Sequence, residues 1–219
     1  MRGLLKIDIS YYRMGIMMKN QIHCLLIVLL LTVSFIAGGS MALAHDSVKK
    51  LAPEQETFWS MLLQHCGQAY RGEVTNVTQY YKDVVIDREI VLHFFDCFDD
   101  RLHIAFHIDD ERSRNWIITP VDGTLRLTHI HRYSDGTEED FSRYGGKAPV
   151  PGLSTRQVFW ADEHTAELAP ERKDNFWFLE FVDEETLQYG VIWPTYGHEI
   201  RFEFDLSHPV QTPPAPWGY

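Results

Sequence analysis

The chain is poor in cysteine and in cationic side chains, and it has no long apolar run beyond its first forty or so residues. Each shortage narrows what it can be. There are three cysteines among 219 residues, with 20 basic against 31 acidic side chains. So negative a surface repels phosphate backbones and excludes nucleic acid as the natural partner. The motifs of several enzyme classes are also missing: there is no Gly-x-Ser-x-Gly elbow, no phosphate-cradling glycine loop and no His-Glu-x-x-His zinc helix. Low-complexity sequence is scarce and aromatic residues make up 13%, so a packed fold is expected except at the ends.

The one apolar run is at the N-terminus. Met18-Lys19-Asn20 precedes an uncharged stretch from Cys24 to Ala37, and Ala42-Leu43-Ala44 has the small-x-small form of a cleavage site. The run is shorter than the roughly 20 residues a membrane span needs. Residues 1–44 therefore read as a signal peptide, with 1–17 a translation-start artefact if Met17 or Met18 is the true start. An uncleaved N-terminal anchor is the competing reading. The expected location is periplasmic or secreted, with no stable membrane span after cleavage. Losing Arg2, Lys6, Arg13, Lys19 and Asp8 with the leader leaves 16 basic and 30 acidic side chains, a net charge of −14 in place of −11. Cys24 leaves too, and in an oxidising compartment Cys66 and Cys97 are expected to form a disulfide. The alternative for them is a reactive thiol or a metal ligand.

Beyond the leader one domain is expected over 45–208, followed by a Pro-rich tail at 209–219 that is extended or loose. Pro53-Glu54-Gln55-Glu56 starts a helix, because Pro is free of the donor requirement there and acids suit the positive end of the dipole. Phe58, Trp59, Leu62, Leu63 and Cys66 follow at helical spacing, which predicts one amphipathic helix over 53–66, stopped by Gly67. From Ala69 the period changes to two. Strands are predicted at Ala69–Val77, Ile86–Cys97, Leu102–Ile108, Asn115–Thr119, Thr124–Tyr133, Glu138–Tyr144, Gln157–Ala161, Phe176–Val182, Leu187–Trp193 and Glu199–Leu206. The last has the cleanest alternation, with Ile200, Phe202, Phe204 and Leu206 set against charged neighbours. Many strands with short connections after one helix predict a mainly β fold, an antiparallel up-and-down barrel of 8–10 strands.

Leu125–Gly146 concentrates the polar chemistry. Leu125, Leu127, His129 and His131 share one strand face by parity, and Ser134-Asp135-Gly136-Thr137 supplies a hairpin turn. Gly145–Gly152, with two prolines, is read as a loop that cannot hold a ladder. The candidate site gathers His129, His131, Arg132 and Asp135 with Arg112, Arg114 and Trp116, which share parity on the preceding strand. Phe178 and Tyr189 are added as aromatic wall. His129 and His131 are also the candidate metal ligands, with an acid such as Asp135 or Glu138 completing the set. His103 and His107 lie opposite the apolar parity of their strand and are expected on a solvated face. Ser134 and Ser142 would complete a Ser-His-acid set with His131 only on paper.

The segments D-E-R-S-R-N-W at Asp110–Trp116 and H-I-H-R-Y-S-D-G-T-E-E-D running to Tyr144-Gly145-Gly146 resemble a family of uncharacterised secreted bacterial proteins. That resemblance implies no activity. The architecture is also similar to the lipocalin or calycin class, which implies a ligand-binding barrel behind an N-terminal helix. Gly67-Gln68-Ala69-Tyr70 stands where lipocalins carry Gly-x-Trp. The resulting expectation is a non-catalytic barrel that binds a partly apolar small molecule, with cations at one end to suit an anionic group. Which cofactor, if any, it takes is unknown. The alternatives are a metal-dependent hydrolase using His129 and His131, or an envelope interaction module with a filled barrel.

Overall fold

The computed structural model describes residues 49–219. The leader expected over 1–44 and its start-site alternative lie outside the described residues. Helix α1 (Pro53–Leu63) begins at the predicted proline, carries Glu54 and Glu56 in its first turn, and buries Phe58, Trp59 and Leu62. Residues 64–66 continue as turns rather than helix, up to Gly67 at φ 78°.

Ten strands follow: β1 (Ala69–Val77), β2 (Ile90–Cys97), β3 (Leu102–Ile108), β4 (Glu111–Val121), β5 (Thr124–His131), β6 (Tyr144–Lys147), β7 (Arg156–Trp160), β8 (Phe176–Phe181), β9 (Thr186–Trp193) and β10 (His198–Val210). They form one antiparallel sheet in the order β6-β5-β4-β3-β2-β1-β10-β9-β8-β7, which curls into a nearly closed barrel. Short helices α2 (Lys82–Val85) and α3 (Glu163–Leu168) sit in the β1–β2 and β7–β8 connections. The alternation read in β10 matches its burial, with Ile200, Phe202, Phe204 and Leu206 inside.

The predicted strand over Glu138–Tyr144 is replaced by a single bridge, Arg132 to Glu138, after which the chain loops away. Its place in the sheet is taken by β6, inside the stretch expected to be a loop. Gly145 and Gly146 pair with Thr128 and Leu127. The glycines permit this because a Cβ at Gly146 would lie 1.6 Å from the Trp160 carbonyl oxygen of β7. Close approach is what holds the barrel's two edges together. Across this seam the Asp162 N–H donates to the Gly145 carbonyl at 2.9 Å, and the Thr165 hydroxyl bonds both the N–H and the C=O of Gly145 at 2.8 Å. Arg126 of β5 reaches over to the Asp162 carboxylate.

Helix α1 caps one end of the barrel. Phe58 meets Phe181 edge-on at 5.6 Å, and buried Gln55 donates to Thr124 Oγ1 and Gln157 Oε1. Cys66 and Cys97 are bonded and tie the end of the helical segment to β2, with Cα atoms 6.2 Å apart. Such a bond belongs to oxidising, non-cytoplasmic compartments. Among the described residues no helix is long and apolar enough to cross a membrane.

The Pro-rich tail is not loose. Beyond β10 it crosses the outer face of β2, β3 and β4. The Trp217 N–H donates to the Arg112 carbonyl, and the Tyr219 ring packs on Phe95 and His103. This corrects the expectation that His103 and His107 are solvated. Both lie on the outer face as parity requires, but they are buried there together with His93.

Candidate functional site

The interior is packed solid on the α1 side, by residues such as Leu62, Leu92, Ile104, Ile118 and Leu127. Towards the other end it opens into a cavity of about 210 Å³. The ends of β3, β4, β5, β8, β9 and β10 wall it, and the β1–β2 and β7–β8 connections roof it with Tyr81, Val84, Val85, Arg172 and Asn175.

His129 and His131 line this cavity because β5 keeps strict alternation from Leu125, so both imidazoles follow the leucines inward. His129 is 2% exposed; its Nε2 shares a hydrogen bond with the Tyr189 hydroxyl at 3.0 Å, and its ring stacks on Tyr144 at 4.8 Å. His131 Nε2 shares one with the Tyr144 hydroxyl at 3.0 Å, while its Nδ1 lies 4.0 Å from Glu139. Burial, reinforced by neighbouring His131, holds the His129 pKa down to about 3, with the Tyr144 backbone acting against the shift. Burial, then Arg114 and Arg172, holds His131 to about 4. Both imidazoles are therefore neutral at pH 7. Burial also raises Tyr144 to about 12 and keeps Tyr189 well above the usual phenol range, so both hydroxyls stay protonated.

The fixed positive charge at the cavity comes from two guanidiniums. Arg114 pairs across the strands with His131 and holds Glu111. Arg172 lies over the Phe141 ring at 4.4 Å. The apolar wall is largely aromatic, its rings fixed by one another: Trp116 stacks on Tyr189 at 4.0 Å and on Phe106 at 5.1 Å, and Tyr81 on Trp193 at 4.6 Å. Among the described residues, three buried polar atoms on residues that line the cavity have no hydrogen-bond partner: His129 Nδ1, Asn175 Nδ2 and Trp193 Nε1.

Of the residues expected at the site, Arg114, Trp116, His129, His131 and Tyr189 line the cavity. The others lie elsewhere. The β3–β4 register shifts between Phe106–Arg114 and Ile108–Glu111, and this bulge turns Arg112 outward, where its Nη1 donates to the Ala215 carbonyl of the tail at 3.0 Å. Arg132 is also outside, over the Tyr219 ring at 5.1 Å. Asp135 is exposed and accepts from the Thr137 N–H and hydroxyl within its own turn. Phe178 sits on the outer wall across from Gly190, covered by Arg156 and Arg201. Its inward neighbour Trp177 is the one that meets the cavity.

As metal ligands, His129 and His131 have their Nε2 atoms engaged by tyrosines. Among the described residues no three His, Cys, Asp or Glu side chains converge. Asp135 and Glu138, proposed to complete the set, are tied into the turn, Asp135 to Thr137 and Glu138 to Arg143. Sequence reasoning missed Tyr144, Arg172, Asn175, Trp177 and Trp193. The aromatic share of these strands was a signal for the tryptophans, but nothing local places Arg172 over the cavity.

No family model, curated protein or solved structure matches the chain.

Proposed function

We propose that the protein is an exported, non-catalytic carrier or receptor that holds a small, partly apolar molecule in the open half of its barrel. The observation that carries this reading is a hollow bounded by mutually stacked aromatic rings, with imidazoles and guanidiniums gathered at one end. A well-packed interior leaves few voids larger than a water molecule. Apolar lining with a few placed polar groups is the usual make-up of a ligand site. The disulfide and the apolar leader both support export to the periplasm or beyond.

The chain's own groups favour binding over turnover. The imidazoles are neutral and occupied by phenols, and among the described residues no serine or cysteine borders the cavity. The Ser142 hydroxyl accepts the His131 backbone N–H rather than engaging its ring. Native mass spectrometry of protein purified from the periplasmic fraction is expected to show a chain beginning near His45 with a bound small molecule, or one that takes up a metabolite with a thermal shift. Bare protein unmoved by a broad metabolite panel would refute the reading.

A further inference from the structure

The polar groups around the cavity are unequally divided between donors and acceptors, and that imbalance specifies a ligand. Arg114 and Arg172 carry only donors. The two tyrosine hydroxyls and the imidazole Nε2 atoms satisfy each other. The nearby carboxylates are committed or set back: Glu111 to Arg114 and the Ser113 N–H, Glu171 at 3.9 Å from Arg172, Glu139 at 4.0 Å from His131. The excess at this end of the cavity is therefore of guanidinium N–H groups, which an acceptor on a ligand would engage.

The surrounding wall fixes the rest of the molecule. Rings locked by stacking present flat faces and edges, which suit another flat ring better than a flexible chain. The hollow, about 210 Å³, has room for a compact molecule of one or two fused rings. The charge is limited as well. Glu111, Glu139 and Glu171 outnumber the two guanidiniums, so an anion here is held by directed N–H donors rather than by net charge, and a dianion is disfavoured.

Resting on the binding role proposed above, we infer that the occupant is a small aryl or heteroaryl monocarboxylate, its carboxylate turned to Arg114 and Arg172 and its ring set among Trp116, Trp177, Tyr189 and Trp193. The imidazoles beside the guanidiniums stay neutral, so binding should be insensitive to pH between about 6 and 8.

The test is a titration of the purified full-length mature protein with indole-3-carboxylate, indole-3-carboxamide, benzoate and hexanoate. It is followed by calorimetry and by quenching of the cavity tryptophans. Indole-3-carboxylate is expected to bind at least tenfold more tightly than its carboxamide and than hexanoate. Arg172→Gln, on an exposed turn, and Arg114→Gln are each expected to weaken the carboxylate about tenfold while leaving the carboxamide within twofold. Equal affinity for carboxylate and carboxamide, or preference for hexanoate, would overturn this inference and leave the binding role standing. Failure of all four probes on protein shown to be bare by native mass spectrometry would overturn both. If Arg114→Gln does not fold, Arg172→Gln decides alone, and unchanged carboxylate affinity in it counts against the proposal.

Discussion

His107 is 2% exposed, and neither of its ring nitrogens has a hydrogen-bond partner. Burial, with His93 and Arg112 beside it, lowers its pKa to about 4. His131 is held at about 4 and His129 at about 3, also chiefly by burial. In the unfolded chain each would titrate near 6.5. Below that value the unfolded state takes up protons that the folded state refuses, so stability is full above about pH 6.5 and falls as the pH drops towards 4. Each such imidazole contributes a slope of up to about 1.4 kcal/mol per pH unit. Urea denaturation at pH 7.5 and pH 5 should show this loss. His107→Leu, which removes an unpaired polar group from the outer face without touching the cavity, should reduce it by about 2 kcal/mol. An unchanged pH dependence in the variant would show that His107 is protonated in the folded protein, contrary to its surroundings.

At the scale of elements, the seam between β6 and β7 depends on Thr165. Its hydroxyl replaces strand pairing by bonding both backbone groups of Gly145, and its N–H is capped by Asp162 at 2.9 Å. Thr165→Val keeps the shape but leaves the Gly145 N–H without a partner and its C=O with the Asp162 N–H alone. The expected cost is about 2 kcal/mol, with faster amide exchange confined at first to β6. Uniform exchange across all strands would mean that the seam carries no separate stability.

The same elements separate what the sequence made legible from what it hid. The facing of β10 and β5 could be read because no bulge interrupts Thr124–His131 or His198–Asp205, so parity counted from the leucines of β5 placed His129 and His131 indoors. Arg112 was misread because a bulge inserts one residue and reverses parity beyond it. Phe178 was misread because Phe176-Trp177-Phe178-Leu179 is apolar on both faces, so alternation carries no information there. β6 was hidden by its glycines, whose use is close contact with β7, a relation between segments distant in the chain. Arg172 and Asn175 reach the cavity only through the packing of a connection over the barrel end, which no local period encodes. The burial of His103 and His107 likewise depends on a tail a hundred residues away.

At the scale of the whole molecule, the Cys66–Cys97 bond closes a loop of 31 residues and fastens the α1 end of the chain to the barrel wall. In the chain-entropy account such a loop stabilises by about 3–4 kcal/mol. The double variant Cys66→Ser/Cys97→Ser should lower the urea midpoint accordingly while leaving ligand uptake intact, since the bond and the cavity lie towards opposite ends of the barrel. Loss of uptake in a folded double variant would show that the two ends are coupled.

The seam has one more consequence. Nine of the ten joints around the described wall are hydrogen-bonded strand pairings, whereas the tenth rests on a single threonine, one backbone bond and one ion pair. The girth of the barrel can therefore grow without breaking any ladder, by parting β6 from β7. Because Tyr144, which stacks on His129, begins β6, widening there would carry one side of the hollow outward and make room for guests bulkier than the resting dimensions admit.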